Sequence, residues 1–132
     1  MERTQTDARP DLAAKDLAAT TPYPLVVEKL VDLIGSRLVA YIGGVKDART
    51  VAAWTRGDVP HLAGRRLQLA YAGALTLKER YDRDRIQAWF TWLNDFLDDA
   101  SPSSYVRSLE NDEEIDRKGT RLLQAARREL AE

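Results

Sequence analysis

The chain contains no cysteine, and this absence excludes every chemistry that depends on a thiol. Disulfides, thiolate metal ligands and cysteine nucleophiles are all ruled out. Histidine is almost as scarce, because His61 is the only one among 132 residues and no partner stands at a recognisable spacing from it. A general base needs an organised neighbour and a pocket. We therefore expect no enzyme, no catalytic residue, no metal site and no cofactor.

Long apolar runs are missing as well. No stretch approaches the roughly 18 apolar residues of a membrane span, and the N-terminal MERTQTDARPDLAAKD lacks the apolar core of a signal peptide. Gly43-Gly44 lacks the lysine spacing of a phosphate-binding loop. The sequence thus predicts a soluble protein without a membrane partner, and the lack of cysteine is compatible with the reducing cytoplasm.

The apolar residues that are present follow helical spacing over most of the chain, so the predicted fold class is all-α. Residues 1–22 are polar and alanine-rich and are predicted to form a flexible arm, with at most one helical turn between Asp11 and Ala19. Residues 23–82 are assigned to one helical domain, and residues 83–132 to a second, smaller one with a C-terminal tail. The predicted helices cover about 25–34, 36–42, 47–56, 63–81, 84–93, 102–109 and 115–130.

Two of these short helices and the glycine pair between them form a helix-turn-helix pattern. Gly43-Gly44 ends the first helix, because glycine accepts the left-handed backbone of a tight turn. Asp47 is the predicted N-cap of the second helix, and Gly57 closes it. Val51 and Trp54 are three residues apart on one face and are predicted to be buried.

The opposite face of the second helix carries small and basic residues, which suit the major groove of DNA. Arginine can bind guanine bidentately, and Thr50 and Ala53 can offer a methyl contact to thymine. Lys46 and Arg37 are assigned to phosphates, which position a protein without specifying sequence. The alternative is that these are ordinary solvated side chains. The predicted DNA-binding residues are Arg37, Lys46, Arg49, Thr50, Ala53 and Arg56.

Charge is distributed unevenly along the chain although the net charge is only −1. Residues 36–66 hold six basic side chains against two acidic ones, a balance of +4. Residues 91–116 hold eight acidic side chains against one basic, a balance of −7. This pattern predicts two surfaces with different partners, unless both are ordinary solvated faces.

Four stretches of the chain carry a family resemblance: RLVAYIGG, VAAWTRG, RRLQLAYAGALTL and, most specifically, AWFTWLNDFLDDASPSSYVRSLE. In these stretches the chain resembles the Xre/MbcA/ParS type of bacterial antitoxin. The resemblance covers about residues 36–110. Trp92, where many relatives have a small or turn-forming residue, and the long charged tail after Glu110 depart from the family pattern. The resemblance implies an Xre-like helix-turn-helix bundle followed by a small helical toxin-binding domain.

That resemblance also implies partners. The first half of such antitoxins binds operator DNA or forms a homodimer, and the second half covers a toxin, usually a RES-domain enzyme that consumes NAD. Trp89 and Phe90 are assigned to the core, and Trp92 to an exposed anchor. Arg107 is placed at the toxin interface or in a salt bridge with Asp98, Asp99 or Glu110. The residues carried over as toxin-binding are Trp92, Asn94, Leu97, Pro102, Val106 and Arg107.

Two other functions remain open at this stage. A stand-alone transcriptional regulator would keep the fold and lack a toxin partner. A structural adaptor would use the helix-turn-helix for dimerisation alone. A toxin-sized gene beside this one would favour the antitoxin.

Overall fold

The computed structural model describes residues 9–131, and within that range the chain forms eight α-helices, one 3-10 turn and no β-strand. The predicted all-α fold class is therefore confirmed. None of the described helices is long and apolar enough to cross a membrane. The helices are α1 Pro10–Thr20, α2 Tyr23–Ile34, α3 Ser36–Gly43, α4 Ala48–Trp54, α5 His61–Lys78, α6 Arg83–Thr91, α7 Pro102–Arg107 and α8 Asp112–Ala131.

Helix α5 lies at the centre of the fold and contacts α1, α2, α3 and α8. The predicted stripe of this helix is buried, with Leu67, Ala70, Ala74 and Leu77 fully out of solvent. Small residues let neighbouring helices approach closely: a Cβ on Gly64 would stand 2.3 Å from the ring of Tyr23. The helix begins at His61, whereas the sequence placed that residue in a loop.

One hydrophobic core joins the two domains that the sequence predicted. Side chains from α6 and α8, among them Phe90 and Leu122, belong to the same buried cluster as Leu30, Ile42 and Leu67. The proposed boundary after residue 82 lies between α5 and α6, which contact each other. Helix α6 also packs on α2, so the first half of the chain is completed by the second.

The segment predicted to be a flexible arm contains a helix where the structure describes it. Residues 10–20 form α1, which packs along α5 through Ala14 and Ala18. Asp11 is also buried, and Arg9 holds its carboxylate with two hydrogen bonds of 3.2 Å. The sequence suggested an arm because alanine contributes little hydrophobicity, yet alanine lets two helices approach closely. Residues 1–8 of the predicted arm lie outside the described residues.

Helix α6 is shorter than its apolar spacing suggested. It ends at Thr91, after which Asn94 and Ala100 form an isolated antiparallel bridge around the 3-10 turn Asp95–Leu97. The predicted helix extended to residue 93, but Leu93 lies beyond the end of α6 and 77% of its surface is exposed. Asp98 and Asp99 close this turn with positive φ, a conformation that aspartate tolerates better than most residues.

The last two helices agree with their sequence signals. Ser101 caps α7 by accepting a hydrogen bond from the Ser104 backbone N–H, and Pro102 occupies the first turn. Ile115, Leu122 and Ala126 face the core from α8. Helix α7 contacts α3, α5, α6 and α8, and it thereby brings the C-terminal half against the helix-turn-helix.

Candidate nucleic-acid interface

The helix-turn-helix is formed by α3, α4 and a tight turn between them. Gly44 has φ +90°, in the left-handed region. The N–H of Gly44 donates to the Tyr41 carbonyl at 3.2 Å, and the N–H of Val45 to the Ala40 carbonyl at 2.9 Å, which is the Schellman pattern of helix termination. Asp47 then caps α4 through the Thr50 backbone N–H at 3.0 Å, as predicted.

Gly43, the other half of the glycine pair, serves the fold through its size. It is the last residue of α3, and a Cβ there would lie 2.8 Å from Cζ3 of Trp54. The indole therefore packs directly on the α3 backbone, and only 5% of Trp54 is exposed. This contact, together with buried Val51, fixes how α4 lies against α3 and which face it turns to solvent.

The solvent face of α4 carries the residues that the sequence assigned to DNA. Arg49, Ala53 and Arg56 follow one another at helical spacing and are exposed, with Arg56 in the turn just after the helix. The Thr50 hydroxyl donates to the Asp47 carboxylate at 3.1 Å, so its proton is already used within the cap, and its methyl group can still make the predicted contact with thymine. Short side chains between two arginines allow the helix backbone to approach a groove closely.

The cap of α4 makes its stability depend on pH. The pKa of Asp47 is lowered, first by the hydrogen bond from the Thr50 backbone N–H and then by that from the Thr50 hydroxyl. A carboxyl group with a lowered pKa in the folded state stabilises the fold above its unfolded pKa, and this contribution is lost as pH falls through the folded pKa.

Replacing Asp47 by asparagine tests this dependence, because asparagine keeps the capping acceptor and removes the charge. We expect the wild type to have a higher free energy of unfolding than Asp47→Asn at about pH 6, and we expect this difference to disappear as the pH falls to about 2. Urea unfolding followed by circular dichroism at each pH measures the difference. Other carboxyl groups are common to both proteins and cancel. A difference that stays constant over this range would contradict the assignment.

Two of the six basic residues between positions 36 and 66 bind other parts of the same chain. Arg65 binds Asp112 at 3.1 Å and Asp116 at 2.7 Å, so the basic and acidic segments partly neutralise each other. The Nε of Arg66 donates to the Leu109 carbonyl at 2.8 Å. The basic surface around the helix-turn-helix therefore consists of Arg37, Lys46, Arg49 and Arg56, all of them exposed.

A groove of about 630 Å³ lies between α3, the start of α4 and α7. Its lining includes Arg37, Lys46 and Arg107 and contains no carboxylate. Arg107 stacks over the Tyr41 ring, 4.5 Å from its centroid, and its Nη1 donates to the Tyr41 carbonyl at 2.6 Å. None of the salt bridges suggested for Arg107, to Asp98, Asp99 or Glu110, is formed among the described residues.

Tyr41 was not among the residues that the sequence predicted to bind DNA, yet it lines this groove and 39% of its surface is exposed. One signal was available, since Arg37 and Tyr41 are four residues apart and share a helical face. The contact with Arg107 spans 66 positions and has no local signature.

The six residues that the family resemblance assigned to toxin binding have four different placements in the structure. Trp92 is half exposed, at 49%, and the neighbouring Leu93 is exposed further. The Asn94 side chain accepts a hydrogen bond from the Phe96 N–H at 2.9 Å, so it organises the turn that follows α6. Arg107 lies against α3. The other three, Leu97, Pro102 and Val106, are buried and support the fold, so they are not accessible to a partner.

The exposed Trp92 ring lies beside a cation and a pocket. The Arg85 guanidinium lies 5.5 Å from the centroid of the Trp92 ring. A pocket of about 290 Å³ beside it is also lined by Trp89, whose Nε1 is buried without a hydrogen-bond partner among the described residues. Asp95, Asp99 and Glu129 line the same pocket together with Arg128, so the pocket is mainly polar and carries charges of both signs.

Comparison of the chain with protein-family models, with curated proteins and with solved structures finds no match. Function is therefore inferred from the residues and their placement.

Proposed function

We propose that this chain is the antitoxin of a type II toxin–antitoxin system. In this proposal it binds operator DNA as a homodimer, represses its own operon, and occludes a NAD-consuming RES-type toxin in the cytoplasm. Two kinds of observation support the proposal: residues 36–110 resemble this family of antitoxins, and the structure has two separate exposed surfaces. One is the basic face of α4, and the other is the aromatic site at Trp92.

The observation that carries the DNA-binding part is the orientation of α4. Val51 and Trp54 hold one side of the helix in the core, so Arg49 and Arg56 point to solvent with only short side chains between them. An α-helix fits the major groove of B-DNA, and arginine is the side chain that most often reads guanine there. The second helix of a helix-turn-helix is the one that enters this groove.

The toxin-binding part is supported by the exposed Trp92 and Leu93. Large aromatic side chains dominate the binding energy of protein interfaces, and 49% of the Trp92 surface and 77% of the Leu93 surface are exposed. Asp95 and Asp99 line the pocket beside this pair, and residues 91–116 hold eight acidic side chains against one basic. The acidic side chains of this segment favour a partner with a basic cleft, which suits an enzyme that binds a dinucleotide phosphate.

A stand-alone transcriptional regulator is the alternative, and one observation favours it. Leu97, Pro102 and Val106, which the family resemblance assigned to the toxin contact, are core residues here. In that case the family-specific motif is needed for the fold of the second half of the chain, and it gives little information about a toxin partner. Co-purification with the product of an adjacent toxin-sized gene distinguishes the two functions.

The DNA-binding part is tested by replacing Arg49 and Arg56 together by alanine. Loss of a bidentate base contact weakens operator binding by about 1–3 kcal/mol. Fluorescence anisotropy with a duplex from upstream of the chain's own gene measures the affinity, and circular dichroism checks the fold. Wild-type binding should fall steeply with salt, because phosphate neutralisation releases counterions.

The matched control for this variant is Arg83→Ala with Arg117→Ala. These two arginines are also exposed, lie on α6 and α8, and remove the same charge. We expect the control to bind the duplex nearly as tightly as the wild type. Equal binding by the wild type and the Arg49/Arg56 variant would show that α4 is not the recognition helix.

A further inference from the structure

We propose that the groove between α3, α4 and α7 is a phosphate site, and that Arg107 from the C-terminal half binds a backbone phosphate of the same duplex that α4 reads. This inference rests on the proposed DNA-binding function. It assigns Arg107 to the DNA-binding surface, in place of the toxin interface that the family resemblance implied. It also assigns α7 to the DNA-binding unit.

The first support is the charge of the groove. Arg37, Lys46 and Arg107 converge on it, and no carboxylate lines it. No Asp or Glu of the described residues forms an ion pair with any of these three cations, whereas Arg9 and Arg85 each have one ion pair and Arg65 has two. Three cations that share a cavity repel one another, and a bound anion relieves that repulsion.

The second support is how Arg107 is held. Its two contacts with Tyr41, a carbonyl oxygen and the face of a ring, fix the guanidinium without neutralising it. The Tyr41 hydroxyl is itself hydrogen-bonded to Ser104 on α7 at 3.0 Å, so the ring is anchored at both ends. A guanidinium has five N–H donors in a planar fork that matches a phosphate, and Tyr41 occupies one of them.

The third support is a neighbouring charge. The pKa of Arg66 is lowered by its burial first and then by the positive charge of Arg107. The positive potential of the groove therefore extends into the fold, where Glu110 offsets only part of it. Such a surface attracts an anion.

The position of the groove favours a DNA phosphate as the anion. Ala48 lines it as the first residue of α4, Lys46 lines it from the turn just before that helix, and Arg37 lines it from the first turn of α3. A helix that lies in the major groove has the sugar–phosphate backbones on its flanks, which is where phosphate contacts set its register. A free phosphorylated small molecule presents the same chemistry, and the experiment below separates the two sources.

The test uses the full chain with Arg107→Gln, which removes the charge, and Arg107→Lys, which keeps it. The control is Arg121→Gln. Arg121 also stacks over an aromatic ring, that of Phe96 at 4.7 Å, and donates to a backbone carbonyl, that of Phe96 at 2.8 Å, but it lies on α8 outside the groove. The control therefore loses the same charge and the same kinds of contact.

Duplex affinity is measured against salt, with the promoter duplex and with a random one. Loss of one phosphate contact reduces the slope of log K against log salt by about 1 and weakens binding to both duplexes alike. We expect this for Arg107→Gln, with recovery in Arg107→Lys and no change in Arg121→Gln. A wild-type slope in Arg107→Gln would overturn the inference and leave the proposed function standing.

Thermal melting with inorganic phosphate, against chloride at equal ionic strength, provides the second arm. If the wild type binds no duplex, the proposed function fails. A phosphate-dependent rise in melting temperature that Arg107→Gln abolishes would then keep the site and assign it to a free phosphorylated ligand. With neither duplex binding nor such a rise, the phosphate site is wrong.

Discussion

Cutting the chain after Asp82 is expected to abolish cooperative folding of the remaining fragment. The cut removes buried residues of α6, α7 and α8 that share one core with α2 and α5, including Trp89, Phe90 and Leu122. Each large apolar side chain contributes about 1.5–3 kcal/mol by burial, whereas a whole domain is stable by only about 5–15 kcal/mol. The fragment should therefore lose both its thermal transition and its DNA binding.

Far-ultraviolet circular dichroism on heating, together with duplex binding, measures this loss. The sequence alone had suggested that residues 23–82 form an independent helix-turn-helix domain, in which case the fragment would fold and still bind DNA. A fragment that melts cooperatively near the temperature of the full chain would restore that two-domain description. The complementary fragment added in trans provides a control, because recovery of the transition attributes the loss to the missing core contacts.

Trp89→Ala is expected to destabilise the protein far more than Trp92→Ala. Trp89 is 2% exposed and packs edge-on against Phe90, with 5.1 Å between ring centroids, so its removal costs about 3–5 kcal/mol. Trp92 is half exposed, and its main partner is the Arg85 guanidinium, a contact worth about 0.5–1 kcal/mol at an exposed site. Under the antitoxin proposal, Trp92→Ala instead weakens co-purification of the toxin.

Denaturant unfolding and toxin co-purification, measured on both variants, separate a core role from an interface role. Trp89→Phe is the control, because it keeps an aromatic ring and removes an indole N–H that has no hydrogen-bond partner among the described residues. We expect Trp89→Phe to retain most of the stability that Trp89→Ala loses. Equal destabilisation by Trp89→Ala and Trp92→Ala would contradict the assignment of either ring.

Local features of the fold could be predicted because their causes are local. Asp47 caps α4 and Ser101 caps α7 through hydrogen bonds within three residues. The buried stripe of α5 follows from residues three and four apart on one helix. The same logic placed Val51 and Trp54 inside and Arg49 outside, so most of the candidate DNA surface was visible in the sequence.

Features that depend on distant parts of the chain could not be predicted. Arg107 contacts Tyr41 across 66 positions, and no periodicity links the two. The end of α6 at Thr91 is a local feature, and it was missed for another reason: the apolar spacing continues to Leu93, past the point where the helix ends. The burial of Leu97, Pro102 and Val106 became clear only from the packing of α7 among its neighbours.

The contact between Gly43 and the Trp54 ring links the substitutions that these two positions can accept. A methyl group at position 43 meets the indole at 2.8 Å, so Gly43→Ala is incompatible with tryptophan at position 54. In a chain with a smaller residue at position 54, the same methyl group would occupy part of the vacated space. The effects of the two changes are therefore not additive, as is usual for residues in contact. Relatives of this chain should therefore vary at positions 43 and 54 together. Such covariation would show, from sequences alone, that α3 and α4 are in contact at these two positions.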